Sequence, residues 1–310
     1  MKVKLKIYRH TSEKEGFESY ELEVGEDAVI LDLLNKIKWE IDGTLSYRRS
    51  CRHGICGSCA VKLNKKNVLA CKTSVKEAVE QFGELVIEPV SKNVIKDLVV
   101  DKKDFWEKHN KVKPYLIAQI DEHPQKENLI PPKLLELIED ADYCIACGCC
   151  FYACEALEVN KDFLGPQALA KTYRFVADVR DEAKEERLEM VDRLGIGIWD
   201  CIKCQECIEV CPKGVDPFTK ITHLHNEVFK EGIAKDNVAS RHAKGFLNSI
   251  YKHGLLDEGM LVLYSEGVKV VRHLPEAIEM LKKGKVKLPW QMPKSEKLEE
   301  IQKLIDITKG

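Results

Sequence analysis

Several things are missing from this sequence, and each absence narrows what the protein does. No stretch approaches the roughly 18 consecutive apolar residues of a membrane-spanning helix. The opening MKVKLKIYRHTSEKEG alternates like a strand and lacks the apolar core of a signal peptide, so export directed by this chain is not expected. An excess of one charge is missing too. With 49 basic and 51 acidic residues the formal net charge is −2, which gives no reason to invoke nucleic acid or an anionic membrane surface. Low-complexity segments are also absent. What remains is 310 residues, 44% apolar and 32% charged, a globular composition with length for about two domains.

Against that background, 13 cysteines stand out. An odd count without an export signal argues against a disulfide framework. Four fall at 51–71, five at 144–154 and four at 201–211, with none elsewhere. Thiols grouped at gaps of two and three residues point to metal sites.

Residues 1–95 read as a small mixed domain. VKLKIYR and SYELEV alternate as two half-buried strands, with a turn around Lys14–Gly16. After Asp27, the residues Val29, Ile30, Leu33, Leu34 and Ile37 share one helical face, which Gly43 ends. A long loop carries the first cysteines, short strands follow near AVKLN and ELVIEPV, and Pro89 closes the unit. Residues 96–140 form a charged connector with Pro114, Pro124, Pro131 and Pro132. Helical spacing in KLLELIEDA and ALAKTYRFVADV predicts an all-α domain over 141–235, around the second and third cysteine groups. Residues 236–310 form a mostly helical extension with one apolar segment, MLVLYSE. The fold class expected is α+β.

Cys51, Cys56 and Cys59 make C-x4-C-x2-C, and Cys71 lies downstream, the plant-type spacing for a [2Fe–2S] cluster. Gly54 and Gly57 sit between these ligands, where a side chain would obstruct the approach of backbone amides to sulfur. Zinc is the alternative, but the four-residue gap suits it poorly. Cys144, Cys147, Cys150 and Cys154 form C-x2-C-x2-C-x3-C, which Cys201, Cys204, Cys207 and Cys211 repeat, with Pro212 next. In this bacterial ferredoxin run the fourth cysteine serves the other cluster. The rule assigns one [4Fe–4S] cluster to Cys144, Cys147, Cys150 and Cys211, and a second to Cys154, Cys201, Cys204 and Cys207, leaving Cys149 over.

Around these cysteines the chain resembles the iron–sulfur subunit of succinate dehydrogenase and fumarate reductase. The resemblance rests on RRSCRHGICGSCA (48–60), CIACGCC (144–150), GPQALAKTYRFVADVRDE (165–182) and CPKGVDP (211–217), and it covers roughly residues 1–230. It implies a β-grasp N-terminal domain docked on an FAD-containing flavoprotein subunit. A chain of clusters would then carry single electrons, with no substrate-converting site in this chain.

Two positions depart from the quinone-reactive members of that family. There the counterpart of Cys204 is usually not cysteine and the last cluster is [3Fe–4S]; here Cys204 completes a [4Fe–4S] set. Glu155 follows Cys154 where those members carry proline, and Ile202 follows Cys201 where they often carry histidine. The segment 242–289 is similar to the C-terminal part of heterodisulfide-reductase C-like proteins, whose partners have cysteine-rich CCG domains. The resemblance therefore implies a non-classical complex with a heterodisulfide-reductase-B-like CCG-domain subunit. A quinone-reactive subunit with a membrane anchor and a free-standing polyferredoxin are the competing expectations. The compartment expected is cytoplasmic, with membrane contact only through partners, or periplasmic if an exported flavoprotein carries the chain.

Other residues invite plainer readings. Cys149 reads as a buried thiol beside a cluster rather than a reserve ligand. His53 lies in a loop whose four ligand positions are filled, so a surface histidine or one behind the ligands is expected. His223 and His225, two apart, cannot share a helix face. Trp199 is expected to shield the site begun by Cys201, and the pairs Lys65–Lys66 and Lys282–Lys283 to be solvated surface.

Overall fold

The computed structural model describes residues 1–13, 15–118, 127, 129–285 and 291–309. Lys14 of the expected turn, Pro124 of the connector and residues 286–289 of the tail segment lie outside them. The chain divides into two compact units: Met1–Val191 with Gly195–His225, and Asp192–Leu194 with the chain from Asn226 onward.

The first unit begins with strands β1 (Lys2–His10) and β2 (Glu15–Glu23), so Gly16 belongs to a strand rather than to the turn expected there. In β1 alternate residues Val3, Leu5 and Ile7 are buried, the period of a sheet with one covered face. Helix α1 (Ile30–Lys36) buries Ile30, Leu31, Leu33 and Leu34, and continues as a π-helical turn over Ile37–Ile41, two residues short of Gly43. Strands β3 (Ala60–Leu63) and β4 (Lys66–Leu69) form a hairpin through Asn64 and Lys65, both with positive φ, which matches the twist of paired strands. Helix α2 (Val75–Phe82) and strand β5 (Leu85–Glu88) follow. The five strands form a mixed sheet in the order β2-β1-β5-β3-β4, with β1 and β5 parallel.

The expected connector carries structure of its own: a ribbon of β6 (Val94–Lys96) and β7 (Val99–Val100), then helix α3 (Lys103–Lys111). It is tied to the rest by buried charges that periodicity cannot show. Asp97, at the ribbon turn, is fully buried and accepts from Arg9 Nε at 3.1 Å and from the amides of His10 and Ser46. Arg187 spends all five guanidinium donors on Asp181 and on the carbonyls of Val112, Lys113 and Tyr115.

Helices α4 (Pro132–Asp142), α5 (Cys149–Tyr152), α6 (Glu155–Val159), α7 (Pro166–Val176), α8 (Lys184–Val191), α9 (Glu206–Glu209) and α10 (Pro217–Lys230) complete the helical part. Helix α7 is its centre, burying nine of its residues on more than one face. The sheet and helical parts share one core, because Cys147, Cys149, Cys150 and Val210 pack into the cluster built by β1, β3, β5 and α1. The last turn of α10 already belongs to the second unit.

In the second unit, helix α11 (Val238–His253) is capped by Asn237, which accepts from the Ser240 amide at 2.9 Å. It packs on α12 (Glu258–Glu266), the MLVLYSE segment, where Gly245 permits close approach: a Cβ there would stand 2.7 Å from Tyr264 Cβ. Helices α13 (Leu274–Lys282) and α14 (Leu298–Lys309) follow.

Candidate iron–sulfur centres

The first cysteine loop runs from Cys51 to Cys59, and Cys71 closes on it from beyond β4. The amides of Ile55 and Cys56 point at Cys51 Sγ, at 3.4 and 3.3 Å. With the amide of His53 leading, these pull the Cys51 thiol down to about 6. Cys59 lies on the buried side of the loop, where burial pushes it up to about 12 with Cys71 alongside. Gly54 and Gly57 both have positive φ, but the atoms a side chain would strike are not the sulfurs. A Cβ at Gly54 would meet Lys72 Cγ at 2.8 Å, and one at Gly57 would meet Cys147 Cα at 2.6 Å. Gly57 is therefore the point where the first loop touches the second cysteine run.

The remaining cysteines surround two cavities. Cys144, Cys147, Cys150 and Cys211 line one small cavity with Gln167, Ala170 and Val215. Cys154, Cys201, Cys204 and Cys207 line another, with Phe163, Pro166, Phe218 and Ile221. Among the described residues no three Cys, His, Asp or Glu side chains close tightly enough to chelate a single ion. The thiols stand instead in two sets of four, each around one shared space. Both runs place left-handed residues at matching positions, Ala146 and Gly148 in the first, Lys203 and Gln205 in the second. The first of each pair aims its amide at the opening cysteine's sulfur.

Crowding sets the electrostatics. Burial raises Cys150 far above its ordinary value and Cys207 to about 12, and neighbouring thiols add to both shifts. Such a set ionises together only when cations share its charge, the chemistry iron supplies to thiolates. The residues present therefore fit iron–sulfur groups.

Cys149 is fully buried and hydrogen-bonds the Cys147 thiol, which holds Cys147 down at about 7. Its carbonyl accepts from Asn67 Nδ2 on β4 at 3.0 Å. Gln167 Nε2 lies 2.9 Å from His109 Nδ1 and 4.0 Å from Cys144 Sγ. Burial lowers the His109 pKa, which favours the neutral ring that accepts the Gln167 bond. Lys102 Nζ donates to Cys147 O at 3.2 Å. Sequence reasoning missed Asn67, Gln167 and Lys102. Gln167 sits inside a recognisable motif, whereas a Lys102–Lys103 pair reads as surface.

His53 is exposed, its Nδ1 2.5 Å from Cys51 O. Trp199 is not among the residues lining the second cavity; Phe163, Phe218 and Ile221 cover it, while Trp199 packs edge-on against His225 at 4.7 Å. His223 stacks on Tyr173. Lys65, Lys66, Lys282 and Lys283 are exposed.

Residues 4–107 match the family described as 2Fe-2S iron-sulfur cluster binding domain, and residues 140–215 the 4Fe-4S dicluster domain. The chain is 37% identical over 225 residues to the fumarate reductase iron-sulfur subunit of Haemophilus influenzae, covering 69% of this chain and 86% of that protein. It is 33% identical to succinate dehydrogenase [ubiquinone] iron-sulfur subunit 3, mitochondrial, of Arabidopsis thaliana, covering 73% and 75%. With the succinate dehydrogenase iron-sulfur subunit of Coxiella burnetii it shares 34% identity, covering 71% and 93%. Among solved structures, a chain of the Mycobacterium smegmatis Sdh1 complex in the apo form superposes with a TM-score of 0.66 at 22% identity, covering 74% of this chain and 96% of that one, a likeness of fold.

Proposed function

The chain belongs to the iron–sulfur subunits of succinate dehydrogenase and fumarate reductase, the electron-transfer component of an oxidoreductase complex, and from that premise we propose how its cysteines are used. Cys51, Cys56, Cys59 and Cys71 hold a [2Fe–2S] cluster in a β-grasp domain spanning 1–95, a reading that the mixed sheet and α1 support. Cys144, Cys147, Cys150 and Cys211 hold one [4Fe–4S] cluster, and Cys154, Cys201, Cys204 and Cys207 hold a second, in a helical domain over 141–235. When bound, these groups supply one-electron carriers between the FAD of a flavoprotein subunit and a further redox site. The chain's own residues ligate iron, aim amides at sulfur and wall each cavity with apolar side chains. Carboxylate conversion belongs to the flavoprotein partner.

The observation that carries this reading is the place of Cys204, on one cavity with Cys154, Cys201 and Cys207. It offers a fourth thiol where a [3Fe–4S] site has three. With Glu155 and Ile202 beside the second site, it favours a partner with CCG domains, engaged by the 236–310 extension. No described helix is long and apolar enough to cross a membrane, and we place the complex in the cytoplasm, reaching the membrane through partners.

Anaerobic purification from native extract tests this. An oxidised sample silent in low-temperature EPR, with about ten irons per chain, is the expected result. A flavoprotein and a cysteine-rich subunit should accompany it. A strong oxidised [3Fe–4S] signal with about nine irons would return the second site to the quinone-reactive type.

A further inference from the structure

Three contacts of the sheet part with the first dicluster run fall within Cys147–Cys149. Gly57 packs on the Cys147 backbone, Asn67 bonds the Cys149 carbonyl, and Lys102 bonds the Cys147 carbonyl. Two of these contacts are neutral. The third brings an ammonium group into a half-buried position at the junction. Lys102 Nζ stands 3.2 Å from the carbonyl of Cys147, the same residue on which Gly57 of the first loop packs. Among the described residues no carboxylate forms an ion pair with Lys102, although Asp101 precedes it in the chain. Helix α3 starts with the next residue and is anchored by buried Phe105, which fixes the backbone that carries this lysine.

We propose that Lys102 is a positioning residue for electron transfer: a built-in cation between the first two iron–sulfur sites that raises the reduction potential of the [4Fe–4S] cluster held by Cys147. The inference rests on the ligand sets proposed above. An added electron makes a cluster more negative, and a fixed positive charge in a partly desolvated place stabilises that state more than the oxidised one. Lys102 gains and loses neither electron nor proton, and no bond is made or broken. The effect is largest at the site of Cys144, Cys147, Cys150 and Cys211, smaller at the [2Fe–2S] site, and absent at the site of Cys204, which serves as an internal control.

The test is an EPR-monitored redox titration of the full chain in its purified complex, comparing Lys102→Gln, Lys102→Met and Lys102→Arg. Glutamine keeps a donor for the Cys147 carbonyl without the charge. In both neutral variants the equilibrium constant for reducing the first [4Fe–4S] cluster is expected to fall about tenfold, which is about 59 mV for one electron. Arginine should restore it, and the second [4Fe–4S] potential should stay fixed in every variant. A shift in Lys102→Met alone would reduce Lys102 to a hydrogen-bond donor and overturn the proposal. So would unchanged potentials, or equal shifts at all three sites. Wild-type protein without two [4Fe–4S] signals would instead overturn the ligand sets, an outcome separable because it precedes any variant.

Discussion

Residues 144–154 and 201–211 share one cysteine spacing and one pair of left-handed backbone positions, yet they lie in different surroundings. Cys147 and Cys150 are each 8% exposed and belong to the core shared with the sheet. Cys204 is exposed, and Ile202 beside it is 58% exposed. Local spacing shapes both loops in the same way, while packing buries Cys147 and Cys150 and leaves Cys204 exposed. That contrast suits a relay, in which an inner site must be shielded and a terminal site must be reachable by a partner.

The largest test of this contrast compares Cys150→Ser with Cys204→Ser. The first puts a hydroxyl into the shared core and removes a proposed ligand, so loss of about four irons and a lowered melting temperature are expected together. The second should cost about one iron, bring up an oxidised [3Fe–4S] EPR signal and leave melting nearly unchanged. Equal destabilisation by the two would erase the distinction between inner and outer sites.

A smaller effect is expected where the sheet part meets the first run. Gly57→Ala adds a methyl 2.6 Å from Cys147 Cα at a φ of +68°. A cost of about 1–3 kcal/mol in denaturant titration follows from overpacking and backbone strain. The signal of the second [4Fe–4S] site should be untouched; if it changes as well, the two stations are not independent. The smallest effect concerns the matched left-handed positions. Gly148→Ala would strike the Tyr152 ring at 2.8 Å, whereas Gln205→Gly relieves a non-glycine residue at a φ of +67°. We expect a loss of about 1–2 kcal/mol for the first and a change within about 1 kcal/mol for the second, read by thermal melting.

Much of the architecture was legible in the sequence because its signals are local. Alternation in VKLKIYR marked β1, and the apolar face of α1 and the spacing in ALAKTYRFVADV were equally readable. Helix α2 was missed although Val75, Ala78, Val79 and Phe82 fall on one helical face and pack on the core; at eight residues the signal is short. Strands β6 and β7 were hidden in a stretch that reads as connector, because a two- or three-residue strand has no period. Arg9 and Arg187 gave no sign of burial. A charge is read as surface unless its partners are known, and theirs lie as far as 88 and 75 residues away.

By itself, then, the sequence determined that the chain carries a 2Fe-2S domain and a 4Fe-4S dicluster domain and belongs with the succinate dehydrogenase and fumarate reductase iron–sulfur subunits. A ligand loop is a few residues long, and its chemistry is written in consecutive positions. The two cavities are lined by the cysteine sets that the spacing rule pairs, whereas tertiary structure alone decided that Gly57 must make room for Cys147. It also decided that Lys102 turns inward and that Cys147 and Cys150 are buried while Cys204 of the twin run is exposed. These are contacts between segments tens of residues apart, and they exist only once the sheet and helical parts have condensed into one core.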